Sequence, residues 1–289
     1  MSKLTVRPLN TGFVTTIPKQ YLYHHSVAGC RPDIPDGRTE MPVFTYLIEG
    51  GDHLLLVDTG MAWSERASKY HHPGSRQPEG HSIIERLADI GYKPEDIEIV
   101  VLTHMHWDHM YYLDQFKNAQ IFVNEKEYQF ALDPIPLYYK SYEHPKLYEN
   151  AEEKIVRPFE GLTVTTVTGE TEIMPGVRVF ETPGHSPGHQ SVEVDTNDGS
   201  YICCGDSIFI IDNITPVPEL VYDITPPGRY ADIVSTWKSI ELQKKRVKSP
   251  DLLLPCHEKE ILERIKTTPV LGLGKGGAEN EEDCCHSLS

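Results

Sequence analysis

A short segment rich in metal-binding side chains constrains this chain most strongly. In "LTHMHWDHM", residues 102–110, three histidines and an aspartate fall within six positions, directly after the apolar run "IEIVV". Burying such polar groups without partners is costly, which disfavours a cluster that binds nothing. His104 and His106 stand at i and i+2, and alternate residues of an extended segment point to the same side. They can therefore reach one metal ion, while Asp108 and His109 can serve a second ion where the chain turns.

Three further side chains of metal-ligand type follow apolar runs elsewhere. His185 lies in "TPGHSPGHQS", Asp206 directly follows "YICCG", and His257 ends "LLLPCH". Together with the first cluster, these residues suit two divalent ions with one bridging carboxylate. Zinc is the first expectation, but imidazole and carboxylate also accept iron, manganese and cobalt. The histidines not expected to be ligands are His24, His25, His71, His72, His81, His144 and His189.

The charge and composition argue against several function classes. The chain of 289 residues has 27 basic and 43 acidic side chains, a net charge of −16. Surfaces that bind nucleic acid or anionic membranes normally have the opposite sign. No apolar run reaches the roughly 18 residues of a membrane span, and "MSKLTVRPLNTGFVTTIP" lacks the apolar stretch of a signal peptide. We expect a cytoplasmic protein with reduced cysteines that acts on a small molecule.

The order of apolar patterns predicts two similar β-rich halves covered by helices. The runs "VFTYLIEG" and "HLLLVDTG" predict a hairpin around Gly50-Gly51-Asp52. The segment 21–41 is predicted to be a loop, and the aromatic segment 133–150 an ordered excursion that can cover a site. One domain is expected over 1–271, followed by a disordered tail over 272–289. The predicted helices span His81–Tyr92, Glu125–Leu132, Arg229–Arg246 and 258–266.

The motif HxHxDH, followed by single His, Asp and His ligands at strand ends, resembles the metallo-β-lactamase superfamily. "LVDTG" and "ETPGHSPGHQS" are similar to it as well, and the resemblance covers about residues 43–266. It implies an αββα sandwich, in which two β-sheets are flanked by helices. It also implies that Asp58 orients a ligand histidine through a hydrogen bond. The implied ligands are His104, His106 and His185 for one metal ion and Asp108, His109 and His257 for the other, with Asp206 as the bridge.

Within this superfamily the chain most resembles the N-acyl-homoserine lactonases, in "HMHWDH", in "TPGHSPGHQS" and in length. The resemblance implies a hydrolase that opens the ring of an N-acyl-homoserine lactone, or of a related lactone, with a hydroxide held between two metals. Asp108 would pass a proton to the leaving oxygen. The segment 21–41 and Trp107 would contact the substrate.

One departure from the lactonases leaves the substrate open. Phe209 stands where several lactonases have a tyrosine that assists the carbonyl oxygen, and phenylalanine has no hydroxyl to donate. Tyr111 or Tyr222 is a candidate replacement. The alternatives are a hydrolase of another cyclic ester or amide, or of a thioester as in glyoxalase II. A mononuclear iron dioxygenase and a non-catalytic metal- and ligand-binding protein also stay open, and a homodimer with segment 133–150 at its interface is a further expectation.

Overall fold

Two mixed β-sheets are built by the part of the chain that the computed structural model describes, residues 4–148, 159 and 161–274. The first sheet has the order β1-β2-β3-β4-β5-β6, and the second has the order β11-β10-β9-β8-β7. The strands of the first sheet are β1 Thr5–Thr16, β2 Thr39–Glu49, β3 Leu55–Val57, β4 Ile99–Val101, β5 Gln120–Asn124 and β6 Val164–Val167. Those of the second are β7 Thr171–Met174, β8 Val177–Glu181, β9 Gln190–Thr196, β10 Gly199–Gly205 and β11 Leu253–Pro255.

Strand direction brings several loops to one edge of the sandwich. Strands β3 to β6 run parallel to one another, and β10 runs parallel to β11. The segments that follow β3 and β4 leave their sheet at the same edge, as do those that follow β10 and β11 in the second sheet. Asp58 directly follows β3, and Asp206 directly follows β10. The topology therefore gathers the polar segments that the sequence singles out.

The main core lies between the two sheets. Apolar residues of the first sheet, such as Phe44 and Val57, pack in one buried cluster with Val179 and Val192 of the second. The hydroxyl of Tyr46 is fully buried there and donates to the carbonyl oxygen of Pro255 at 2.9 Å, which links β2 to β11. Face-to-face packing of this kind removes both inner faces from water and fixes the distance between the sheets.

Helices cover the outer faces of both sheets, which confirms the predicted αββα layering. Ile83 and Leu87 of α4 are buried against the first sheet, and Ile240 of α6 packs against Ile202 and Leu253 of the second. The helices are α1 Pro18–Tyr21, α2 His25–Ala28, α3 Ser64–Arg66 continued by a π-helical turn Ala67–His71, α4 Ile83–Asp89, α5 Glu125–Leu132, α6 Ile233–Arg246 and α7 Lys259–Arg264. None of the helices in the described ranges is long and apolar enough to cross a membrane.

The structure differs from the sequence expectations at several elements. Strand β1 has no counterpart among the predicted elements, and segment 21–41 contains α2 where a loop was predicted. Helix α6 begins after Asp232, later than predicted, because the amide groups of Ala231 and Asp232 donate to the carbonyl oxygen of Gly184 instead of continuing a helix. Segment 133–148 forms short 3₁₀ turns, and residues 149–150 and 275–289 lie outside the described residues.

Candidate metal centre

Asp206 lies at the centre of a buried group of histidines. Its Oδ1 atom is 3.2 Å from Nε2 of both His109 and His257, and its Oδ2 atom is 3.3 Å from Nε2 of His185. Nε2 of His104 is 3.9 Å from Oδ2. Each of these side chains is at most 4% exposed, so water contributes little to solvating them. One carboxylate therefore faces four imidazoles that come from three separate loops.

The potential ligand atoms fall into two groups. One group contains His104, His106 and His185, and Nδ1 of His106 lies 2.9 Å from Nε2 of His185. The other contains His109, Asp206 and His257, together with the thiol of Cys256, which donates to the carbonyl oxygen of Phe44. Asp108 stands slightly apart, with Oδ2 3.9 Å from Nε2 of His257.

Several of these atoms are buried without a hydrogen-bond partner among the described residues. They include Nε2 of His104 and of His109, and Oδ1 of Asp206; the last two atoms lie 3.2 Å apart but do not form a hydrogen bond. Buried polar atoms are nearly always satisfied in folded proteins. Imidazole nitrogen and carboxylate oxygen are the ligands that zinc and related divalent ions prefer. The donor set therefore fits two divalent metal ions.

Asp58 holds one ligand histidine in place. Its backbone is left-handed, with φ 61°, a conformation that few residues other than glycine adopt and that aspartate tolerates better than most. This conformation turns the carboxylate back toward the loop after β4. There Oδ2 lies 2.8 Å from Nδ1 of His109, and both oxygens accept hydrogen bonds from Thr103, one from its amide group and one from its hydroxyl. Nε2 of His109 is thereby directed toward Asp206.

His257 and His189 are fixed by different contacts. Nδ1 of His257 lies 2.8 Å from the carbonyl oxygen of Pro42, which leaves Nε2 facing Asp206. Nε2 of His189 instead accepts a hydrogen bond from the amide group of Asp206. Nδ1 of His189 lies 2.9 Å from the hydroxyl of Thr182. Both ring nitrogens of His189 are thus occupied, and its ring supports the backbone of Asp206.

A buried glutamate that the sequence reasoning missed ties the ligand loops together. Oε1 of Glu127, in α5, accepts hydrogen bonds from the amide group of Met105 at 3.0 Å and from the hydroxyl of Tyr142 at 2.8 Å. Oε2 accepts from the hydroxyl of Ser186 at 2.6 Å and from the amide group of Gly188 at 3.0 Å. One carboxylate therefore joins the segment of His104 and His106, the segment of His185, and the excursion 133–148. In the sequence, only its helical position within "EKEYQFAL" is visible.

The pKa values of the histidines separate the two groups. Burial, followed by the charges of neighbouring groups, lowers the pKa of His104 and His106 well below the ordinary value, which leaves their nitrogen lone pairs free at neutral pH. Burial opposes the charge of His257 too, but Cys256 and Asp206 outweigh it and raise the pKa of His257 to about 10. Burial likewise opposes the charge of Asp206, but the charges of His257 and His109 hold its pKa well below the ordinary value.

A cavity of about 190 Å³ opens over these residues. His106, Asp108, His185, Asp206 and His257 form its floor. The other lining residues are Val14, Thr16, Tyr21, Met41, His72, Trp107, Leu137, Lys140, Ser141, Phe209 and Arg229.

The aromatic residues expected at the pocket divide into two pairs. Trp107 and Phe209 line the cavity, and the ring of Phe209 packs on those of His185 and His257. Tyr111 and Tyr222 do not line it, which corrects the expectation for these two tyrosines. Tyr111 packs on Trp63 and beside the guanidinium of Arg66. The ring of Tyr222 packs edge-on against Trp237, and its hydroxyl lies 3.5 Å from that of Ser26.

Trp107 is held from behind by a buried charged cluster. Its ring stacks on that of His71 with centroids 4.1 Å apart. Nε2 of His71 lies 2.8 Å from Oε1 of Glu143, which also accepts from the guanidinium of Arg66 at 2.8 Å. The amide group of Trp107 donates to the carbonyl oxygen of Ser141. These contacts fix the excursion 133–148 against one wall of the cavity.

The sequence profile of the metallo-beta-lactamase superfamily matches residues 38–257. The chain belongs to the metallo-beta-lactamase superfamily. The resemblance found in the sequence is therefore confirmed, and so is the fold class. The matched range contains every residue of the superfamily centre described above, from Asp58 to His257.

Relatives within the superfamily include lactonases. The chain is 31% identical to an N-acyl homoserine lactonase of Bacillus cereus over 176 residues. This matched stretch covers 58% of this chain and 64% of that relative. Its fold matches a solved N-acyl homoserine lactone hydrolase with N-hexanoyl-L-homoserine bound at the catalytic metal centre, with a TM-score of 0.71, 24% identity, and coverage of 91% of this chain and 97% of the other. The fold also matches that of AidC, a dizinc quorum-quenching lactonase, with a TM-score of 0.63 and 17% identity. The match covers 90% of this chain and 89% of AidC.

Proposed function

We propose that this protein is a binuclear metal-dependent hydrolase that opens the ring of a lactone. The observation that carries the proposal is the position of Asp206, whose two carboxylate oxygens face different histidines at 3.2–3.3 Å. A carboxylate held between two groups of imidazole nitrogens suits a bridge between two cations. The ligands would be His104, His106 and His185 for one ion and Asp108, His109 and His257 for the other, with Asp206 shared.

Two divalent ions bound here would supply a nucleophile by lowering the pKa of water, and would polarise the substrate carbonyl. The protein side chains around them have separate tasks. Asp58 and the carbonyl oxygen of Pro42 orient His109 and His257 through their Nδ1 atoms. Asp108 is 8% exposed and lines the cavity, so its carboxyl group can carry a proton to the leaving ring oxygen.

The lactone substrate is supported by the named relatives and by residues that line the cavity. The Bacillus cereus relative is an N-acyl homoserine lactonase, and the solved hydrolase binds the ring-opened product N-hexanoyl-L-homoserine. In this chain, Trp107 and Phe209 line the cavity and offer apolar surface on which the carbon atoms of a ring can pack. Phe209 offers no hydroxyl to the carbonyl oxygen, so this proposal leaves carbonyl polarisation to the two ions.

Metal analysis combined with hydrolysis assays tests the proposal. We expect two zinc or other divalent ions per chain. We also expect ring opening of N-acyl-homoserine lactones or simple lactones, which is monitored through the protons that the reaction releases. His106→Ala removes a ligand and is expected to lower both metal content and rate. His53→Ala is the matched control, because His53 is about half exposed and pairs only with Glu98 among the described residues. A fully metal-loaded wild-type protein that opens no lactone would refute the proposal.

The same assays separate the alternatives. Turnover of a thioester or a cyclic amide, without turnover of any lactone, would keep the metal centre and replace the substrate. One iron per chain without hydrolysis would favour a mononuclear dioxygenase. Full metal loading without turnover of any substrate would favour a binding protein.

We also propose a homodimer that uses the excursion 133–148. Three large apolar side chains are exposed on this segment: Ile135 at 55%, Leu137 at 72% and Leu147 at 49%. Exposed apolar residues that cluster on one segment often mark an interface. Sedimentation equilibrium of the wild type and of Ile135→Ser tests this; a wild-type monomer at micromolar concentration would refute it.

A further inference from the structure

Two cationic side chains line the cavity beside the metal centre. They are Lys140, from the excursion 133–148, and Arg229, from the segment before α6. The acidic residues that line the cavity are Asp108 and Asp206, and both are assigned to the metal ions. The protein has a net charge of −16, and the neighbouring site is proposed to bind metal cations. Two positively charged side chains beside that site therefore suggest that they bind an anion.

Arg229 is held in a fixed orientation. Its amide group and that of Gly228 donate to the carbonyl oxygen of Tyr21, and a side chain at position 228 would lie 2.4 Å from the carbonyl oxygen of Gln20. Its guanidinium lies 5.4 Å from the centroid of the Tyr138 ring. These contacts fix both the backbone and the charged group, so little freedom would be lost when a ligand binds.

The charges of both residues lack an anionic partner in the part of the chain that the structure describes. The guanidinium of Arg229 donates to the hydroxyl of Ser141 at 3.2 Å, which leaves most of its five donors for another acceptor. Lys140 forms no ion pair or hydrogen bond with any described residue. Burial, and then the charges of Arg229 and Arg38, lower the pKa of Lys140, so like charges gather on this side of the cavity.

This arrangement fits an anion better than a neutral or cationic ligand. A guanidinium presents paired donors that match the two oxygens of a carboxylate, and a neighbouring ammonium adds a second charge. A neutral lactone would leave both cations without a partner. A cationic substrate would be repelled by them.

We propose that the substrate is a lactone that carries a carboxylate, which Lys140 and Arg229 bind while the ring carbonyl lies over His106, Asp206 and His257. This rests on the proposed lactonase function and specifies its substrate class. Water adds to the ring carbonyl carbon, the bond from that carbon to the ring oxygen breaks, and one proton of the water goes to the ring oxygen through Asp108. The new carboxylic acid then loses its proton to the solvent, so the product is a hydroxy acid with two carboxylates.

Matched substrates test the proposal directly. We would assay the metal-loaded enzyme with pairs of γ-butyrolactones that differ in one ring substituent, a carboxylate or the isosteric primary carboxamide. Each of the three saturated ring carbons is tested in turn. At one position or more, kcat/KM is expected to be at least about tenfold higher for the carboxylate, since hydrogen bonds to charged groups are worth more than neutral ones.

Variants identify the residues responsible. Lys140→Gln and Arg229→Gln are expected to reduce this preference toward one, because they lower kcat/KM for the carboxylate by a larger factor than for the carboxamide. Arg229→Lys is expected to restore part of the preference, because it keeps the charge. Lys117→Gln is the control, since Lys117 is exposed and does not line the cavity. Added salt should reduce the wild-type preference by screening the charges.

Calorimetric binding separates this proposal from the proposed function. The probes are tetrahydrofuran carboxylate and tetrahydrofuran carboxamide, which lack the reactive carbonyl. The metal-loaded wild type should bind the carboxylate more tightly, and both glutamine variants should lose that advantage. Equal turnover of both lactones at every ring position, or a preference that both variants keep, would overturn the inference and leave the lactonase intact. If no lactone is opened, the proposed lactonase function is refuted. In that case the effect of the two glutamine variants on carboxylate binding decides whether Lys140 and Arg229 form an anion site.

Discussion

Glu127→Gln is expected to loosen the metal centre although residue 127 is not proposed to bind metal. The carboxylate of Glu127 accepts four hydrogen bonds, two on each oxygen. Glutamine has nearly the same shape, but one oxygen becomes an amide NH₂ group that donates. The hydroxyl of Tyr142 or Ser186 can rotate to accept from this group. The amide group of Met105 or Gly188 cannot, so one backbone donor loses its acceptor and faces another donor.

The magnitude follows from this count of hydrogen bonds. A buried backbone donor left without an acceptor costs about 1–3 kcal/mol. The two bonds that remain on the amide oxygen lose their charge assistance, which costs roughly 1 kcal/mol each. Removing a buried charge offsets part of this loss. We therefore expect Glu127→Gln to lower the free energy of unfolding by about 2–4 kcal/mol, which a typical domain survives.

Two measurements report the effect. Denaturant unfolding of the metal-free protein gives the change in stability, and competition with a chelator gives the change in metal affinity. Since Glu127 joins the segments that carry His106 and His185, we expect metal affinity to fall by about 10- to 100-fold, as for other residues that support metal ligands. Glu125→Gln is the matched control, because Glu125 lies in the same helix and is exposed.

One pair of results would contradict this role of Glu127. If Glu127→Gln changes the free energy of unfolding by no more than the Glu125→Gln control and leaves chelator competition unchanged, the carboxylate does not hold the loops. A loss of stability with unchanged metal affinity would limit Glu127 to supporting the fold.

Three further predictions concern other parts of the site. Asp58→Asn removes the negative charge beside His109 and should weaken metal binding by about 10- to 100-fold in the same chelator assay. Gly188→Ala places a methyl group 2.1 Å from the amide nitrogen of Glu127 and should lower the free energy of unfolding by at least about 2 kcal/mol, measured with denaturant. Burial, and then the charge of Lys140, lower the pKa of His72 from 6.5 to about 3, so the folded protein resists its protonation. Stability linked to His72 is therefore complete above pH 6.5 and is lost as the pH falls toward 3; His72→Gln should flatten this loss in denaturant titrations at each pH.

The sequence predicted the αββα layering and the family because those signals are local. The alternation of apolar runs and turns marks strands such as β4 and β10, and the residues directly after them carry the metal-binding side chains. His104 and His106 are two positions apart on the strand exit, so their proximity needs no knowledge of the fold. The helix 125–132 was predicted with its N-cap because Asn124 followed by a helix-forming run is also a local pattern.

The remaining features depend on contacts between distant segments. Glu127 meets Ser186 and Gly188 only because α5 lies beneath a loop about 60 residues further along the chain, and nothing in "EKEYQFAL" encodes that placement. Tyr222 was a candidate for the pocket because tyrosine has the needed hydroxyl, but packing against Trp237 takes its ring elsewhere. Strand β1 pairs with β2 across a segment that contains two short helices, so its sequence alone did not reveal its partner.

The floor and the exposed side of the cavity come from different parts of the chain, and this division bears on substrate choice. The floor consists of residues at strand ends, held by Asp58, Glu127 and the backbone of the sheets. The exposed side comes from the excursion and from the segment before α6, which contribute Lys140 and Arg229. Loops can change on a rigid frame without disturbing the residues the frame positions. Phe209 offers no hydroxyl to a ligand in the cavity, while Lys140 and Arg229 offer positive charge. None of these three side chains is a proposed metal ligand, so substitutions on this side of the cavity can change the substrate class while the metal centre is kept.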